Sequence, residues 1–218
     1  MTQRPTVLLT SSLVLALCGT AAQAQSASKP MVTLQMPALP DPVRVTLNPA
    51  TTALLVLDYV DPICSSQPKC KGEMLPAVTP FMALARKAGV TVAYGTRDRT
   101  MSNWLPEVAP APGDIKIVNT NQDRFYNTDL DKALKAKGIT TIIMVGWKVS
   151  GSVAYTSVGA TERDFTVVIP VDTTAAATDY ETTIGFYQIL NLGNANLKNE
   201  PLKPRSQTLS RTDMITFK

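Results

Sequence analysis

Continuous apolar runs alternate along this chain with stretches of helical spacing. "TTALLVLDYV" (residues 51–60) is apolar almost throughout and breaks at Asp58, the pattern of a strand buried on both faces of a parallel sheet. "MLPAVTPFMALARKAG" (residues 74–89) repeats apolar residues at helical spacing and ends in Lys-Ala-Gly, a helix stop. The alternation continues with a strand in "VTVAYGTR", a Pro-rich loop in "MSNWLPEVAPAPGD" and a short strand in "IKIVN". "TDLDKALKAKG" predicts a helix with a Thr-x-x-Asp capping start, closed by Gly138. "TTIIMVGW" predicts the fourth central strand, followed by a helix from about Ser150 to Asp164. "FTVVIPVDTT" reads as another buried strand, "DYETTIGFYQILNL" as a helix, and "TLSRTDMITF" as a last edge strand.

This order predicts an α/β fold: a doubly wound, mostly parallel sheet of about six strands with helices on both faces. Residues 25–50 are Pro-rich and read as an extended arm with one short strand at "PVRVTL", which leaves residues 51–218 as the domain. Ligands of such sheets sit beyond the carboxyl ends of the strands. Four polar places fall there: Asp58, Asn119, the turn Trp147–Ser152 and Asp172. Tyr59, Trp104, Phe125, Tyr126 and Trp147 are the aromatic candidates for lining a pocket, with core packing as the alternative for each.

Composition adds an address. The first residues combine Arg4, an apolar run from Val7 to Leu17 and the small-residue pattern Ala22-Gln23-Ala24, the signature of a secretory signal peptide cleaved after residue 24. The run is too short to span a bilayer as a stable helix, and Leu17 is bulky for a lipid-attachment site at Cys18. Export to the periplasm of a Gram-negative bacterium, or secretion, is the expectation, with no membrane association after cleavage. Cys64 and Cys70 in "CSSQPKC" remain; in an oxidising compartment a disulfide is favoured over a redox or metal pair. A metal site lacks donors, because the chain has no histidine and no third mature cysteine, and no cofactor is expected. The net charge of +4 is scattered, unlike the clustered cations of a nucleic-acid surface. The expected partner is a small molecule.

Three collinear segments between Thr51 and Ala176 carry a resemblance. "ALLVLDYVD" resembles the "ALLVIDMQNDF" segment of the isochorismatase-like hydrolases, the cysteine hydrolase superfamily. "RFYNTDLDKALKAKGITTIIMVG" is similar to their "SAF" segment with the helix and strand after it, and "GWKVSGSVAYTSVGATERDFTVVIPVD" to their "SGC" strand-turn-helix. The resemblance implies an Asp-Lys-Cys triad hydrolysing an amide-type bond. It also implies a cis peptide shortly before the nucleophile and an oxyanion turn, here Lys148, Val149, Gly151 and Ser152. It further implies homo-oligomers assembled through helices. The triad positions fall on Asp58, Asn119 and Ser152, so two of the three residue types have changed. The nicotinamidase branch, with its histidine-containing metal site, is excluded by the lack of histidine.

Those changes alter the chemistry. A thiol is partly ionised near neutrality, whereas a serine hydroxyl needs an adjacent base, and asparagine brings no positive charge. Lys148, Arg124 and Lys116 are the candidate replacement cations, each with a plain surface-charge reading beside it. Ser152 is either a nucleophile or a helix-opening residue near an N-cap. Asp58 is either a base or a structural carboxylate. An active exported hydrolase, a non-catalytic relative that binds a ligand, and a structural subunit are the readings left open.

Overall fold

Strand β2 (Thr52–Leu57) is buried along its whole length, and its two faces feed two different cores. Leu54 and Val56 join one apolar cluster, while Ala53, Leu55 and Leu57 join the other, as the period-2 alternation of a strand requires. The computed structural model describes Thr33 and residues 35–97 and 103–218. The expected signal peptide, residues 1–24, lies outside them.

The strands are β1 (Val45–Leu47), β2, β3 (Thr91–Thr96), β4 (Ile115–Val118), β5 (Thr141–Trp147), β6 (Thr166–Pro170), β7 (Thr174–Ala175), β8 (Gln207–Ser210) and β9 (Ile215–Phe217). The main sheet runs β4-β3-β2-β5-β6-β8, with β7 added beside the end of β5, and every pairing in it is parallel. The chain winds outward from β2 through β3 and β4 on one side, and from β5 through β6 to β8 on the other. The switch point therefore lies between the carboxyl ends of β2 and β5, where doubly wound sheets open a crevice. The expected fold class is the one observed, with β8 as the edge strand read from the tail.

Helix α1 (Leu75–Lys87) covers the first face with Leu75, Val78, Phe81, Met82 and Ala85. Helices α2 (Leu130–Lys135), α3 (Ala154–Thr161) and α4 (Asp179–Asn191) contribute Leu130, Leu134, Ala154, Ala160, Phe186 and Ile189 to the second. One compact unit spans Ala38–Lys218, so the later part of the arm belongs to it: β1 pairs with β9 and buries Val45 and Leu47. No helix among the described residues is long and apolar enough to cross a membrane.

Two local expectations are corrected. The Thr128 hydroxyl does not close a capping box. It donates to the Arg124 carbonyl at 2.6 Å and meets the Leu130 N–H at 3.4 Å, so the helix starts after Asp129 with no side-chain cap. The helix expected from Ser150 begins at Ala154, because Gly151 leaves helical geometry (φ −128°, ψ −117°) and breaks the turn before it.

Candidate functional site

Asp58 is the first residue past β2 and adopts φ +54°, a left-handed conformation that Asp tolerates better than most side chains. Its backbone N–H donates to the Gly95 carbonyl at 3.2 Å. The carboxylate turns inward and is almost completely buried, so both oxygens need partners. Oδ1 accepts the Arg97 backbone N–H at 3.2 Å, and Oδ2 accepts the Arg124 guanidinium at 2.5 Å.

Arg124 is the largest of the fully buried side chains, which overturns its reading as a surface charge. Besides Asp58 it donates to the carbonyls of Asn119, at 2.9 Å, and Asn121. Its stem lies against Gly95 of β3, where a Cβ would stand 2.9 Å from Arg124 Cγ. A glycine inside a strand marks such a close approach. The loop that carries Arg124 is pinned to α3, since Thr156 Oγ1 donates to the Gln122 carbonyl and accepts the Arg124 N–H. A cation thus does stand beside Asp58, but it comes from the residue before Phe125 and not from position 119.

Asn119 does not bring its side chain to the site. Its amide donates to the Tyr126 carbonyl at 2.5 Å and the Asp123 carbonyl at 3.3 Å, and its oxygen accepts the Asn121 N–H at 2.8 Å. It shapes the loop that positions Arg124, an arrangement suited to a side chain that carries both donor and acceptor.

The turn after β5 forms the opposite wall. Gly146 has φ +149°, and a Cβ there would collide with the Leu57 carbonyl, so this close crossing of β5 past the end of β2 requires glycine. The Trp147–Lys148 peptide is cis, as the resemblance implies. Ser152 Oγ donates to the Trp147 carbonyl at 2.9 Å, and no hydrogen bond joins it to Asp58. Its proton therefore points at a carbonyl, which cannot serve as a base, and Ser152 does not cap the helix either. The Gly151 N–H is taken by the Lys148 carbonyl at 3.0 Å.

Asp58, Ile63, Arg97, Gln122, Trp147, Lys148, Gly151 and Ser152 line one cavity of about 240 Å³. It brings together Asp58, Ser152 and three of the expected turn and pocket residues: Trp147, Lys148 and Gly151. Val149 instead packs into the core against Gly185. The expected pocket residues Tyr59 and Phe125 also belong to the core. Tyr59 donates to the Thr173 carbonyl at 2.7 Å, and burial, then the charge of Asp172, pushes its hydroxyl well above the usual tyrosine range. Phe125 stacks on Phe165. Trp104 packs edge-on against Tyr94, while Tyr126 is exposed. Asp172 accepts from Thr212 instead of facing the cavity. Lys148 pairs with Glu181 at 3.3 Å, and Lys116 is exposed on β4.

Cys64 and Cys70 form a buried disulfide beside the cavity residue Ile63. No group of acidic, cysteine or histidine side chains suited to a metal occurs among the described residues. Sequence reading missed Arg97 and Gln122 as cavity residues. Of the three candidate replacement cations it named, Arg124 is the one the fold seats against Asp58, and Gly95 in β3 is the sequence signal for the space its stem takes.

Residues 52–197 match the isochorismatase domain family. The chain is similar to a ureidoacrylate amidohydrolase, RutB, of Methylobacterium radiotolerans, 26% identical over 65% of this chain and 73% of that protein. It is similar also to a probable inactive nicotinamidase of Arabidopsis thaliana, 26% identical over 73% of this chain and 96% of that one. The structure of N-carbamoylsarcosine amidase from Thermoplasma acidophilum, 21% identical, covers 75% of this chain and 97% of its own with a TM-score of 0.59, a likeness of fold.

Proposed function

The chain belongs to the isochorismatase family, and we propose that it is an exported member that binds a small amide-type molecule without the family's covalent hydrolysis. The observation that carries this reading is the pairing of the two reactive positions with partners other than each other. Asp58 is engaged by Arg124 and the Arg97 N–H, while Ser152 donates to the Trp147 carbonyl. A serine without an adjacent base is a poor nucleophile, and losing a nucleophile–base pair costs on the order of 10⁴ to 10⁶ in rate.

The cavity itself is kept. Gln122 and Lys148 supply polar groups, and Trp147 and Ile63 supply apolar walls, the make-up of a small-ligand site. The similarity to amidohydrolases supports an amide-type ligand. Export is supported by the residue order of the first 24 positions and by the Cys64–Cys70 disulfide. Self-association through the helical face is part of the same reading. Tyr155, Val158 and Leu192 line a cleft of about 450 Å³ there, and sedimentation of the purified protein tests it.

Purified wild-type protein assayed against a panel of small amides is expected to show binding without turnover. Turnover that disappears in Ser152→Ala would overturn the reading. A second reading, water activated by Asp58, draws on the presence of Asp58 in the cavity wall. Turnover kept in Ser152→Ala but lost in Asp58→Asn would establish it.

A further inference from the structure

We propose that the outer face of α1 pairs with the same face of a second copy of this chain, antiparallel about a two-fold axis at Pro80. The inner side of α1 packs on the core through Val78, Phe81, Met82 and Ala85. A surface helix ordinarily carries charge on its opposite side, yet residues 74–85 contain no charged residue. Pro76, Ala77, Pro80, Ala83 and Leu84 make up the outer stripe. Ala77 is half-buried and the other four are exposed, Leu84 at 48%. A helix that is apolar all round belongs in an interior, and within one copy this face has no cover. It lies on the side of the sheet opposite the α3–α4 cleft, so it is a separate surface.

Charge names the occupant. Glu73 stands in the helical turn Cys70–Met74 that leads into α1, and Lys87 is the last residue of α1. Both are exposed, and neither forms an ion pair among the described residues. Arg86, next to Lys87, is instead engaged by Asp114 at 2.6 Å. Pro80 stands seven residues from Glu73 and seven from Lys87, about two helical turns each way. A two-fold axis at Pro80 therefore sets Glu73 of each copy against Lys87 of the other, the self-complementarity that an isologous interface requires. Charges at the ends of an apolar seam fix orientation in this way, since a parallel pairing would oppose like charges. The same axis sets Ala77 against Ala83, small enough for close helix approach, and Leu84 over Pro76. The cleft at Pro76, about 380 Å³ and bordered by Leu75, Thr79 and Pro80, receives that leucine. Lys71 and Glu107 also line it, and they offset each other in sign.

Sedimentation equilibrium of the purified protein over a range of concentrations tests this, with far-UV circular dichroism to verify that each variant folds. Wild-type protein is expected to dimerise, and Leu84→Glu to abolish pairing through α1. Glu73→Lys or Lys87→Glu alone replaces two attractive contacts across the axis by two repulsive ones. Each is expected to raise the dissociation constant about tenfold at low salt, less as salt is raised. Glu73→Lys combined with Lys87→Glu is expected to restore the wild-type value, because opposite charges face each other again. A combined variant as weak as either single one would overturn the antiparallel register. Association kept in Leu84→Glu but lost in Val158→Glu would overturn the α1 face and leave the α3–α4 cleft as the contact. A monomer at every concentration would overturn both surfaces.

Discussion

The Arg124 guanidinium stands 2.5 Å from the Asp58 carboxylate, with the two side chains 0% and 4% exposed. Removing one member of such a pair leaves the other charge buried without a partner, which costs about 3–5 kcal/mol. Arg124→Met is expected to lose stability on that scale in urea unfolding. Asp58→Leu combined with Arg124→Met should cost less than the two single changes added together, because it buries no orphaned charge.

Gly95 makes room for that arginine. In Gly95→Ala the new methyl would stand 2.9 Å from Arg124 Cγ and 3.0 Å from Leu57 Cδ2, an overpacking that costs about 1–3 kcal/mol. The loss should shrink in an Arg124→Met background, where the crowded stem is more flexible. A double-mutant cycle by chemical denaturation measures the difference.

The Cys64–Cys70 bridge closes a short loop next to Ile63. Replacing both cysteines by serine is expected to lower stability by about 2 kcal/mol through the entropy of the unfolded chain. The thermal melt should fall accordingly, and mass spectrometry of the wild type without reductant should find no free thiol at Cys64 or Cys70.

Burial pushes the Asp123 carboxyl above the ordinary range, against the opposing Phe125 N–H and the charges of Arg163 and Arg124. The sign follows from linkage. A raised folded-state pKa means that the folded protein holds this proton more tightly, so stability falls as pH rises from the unfolded value through the folded one. Asp123→Asn removes the titration. Its stability relative to wild type is expected to rise across the carboxylate range, as followed by urea midpoints at stepped pH. A constant difference between the two proteins would remove the assignment.

Much of the architecture was legible because apolar periodicity and burial are local. The short, almost wholly apolar "TALLVL" and "TIIMVGW" runs have the length and continuous apolarity of interior parallel strands, and both form the centre of the sheet. The positions of Asp58 and Ser152 at one crevice followed from the order of strands and helices. What misled was hydrogen-bond choice. Thr128, Asn119 and Ser152 each have several possible partners within a few residues, and spacing along the chain does not decide among them.

Sequence alone therefore determined the layered α/β plan and the crevice at the strand ends, since each depends on residue type and order. Tertiary structure decided that Arg124 is the buried partner of Asp58, that Tyr59 and Phe125 belong to the core, and that Arg97 and Gln122 reach the cavity. These are matters of burial and direction. A charged side chain settles where an opposite charge and a gap in the packing coincide, and Asp58 and Gly95, brought to Arg124 by the fold, supply both.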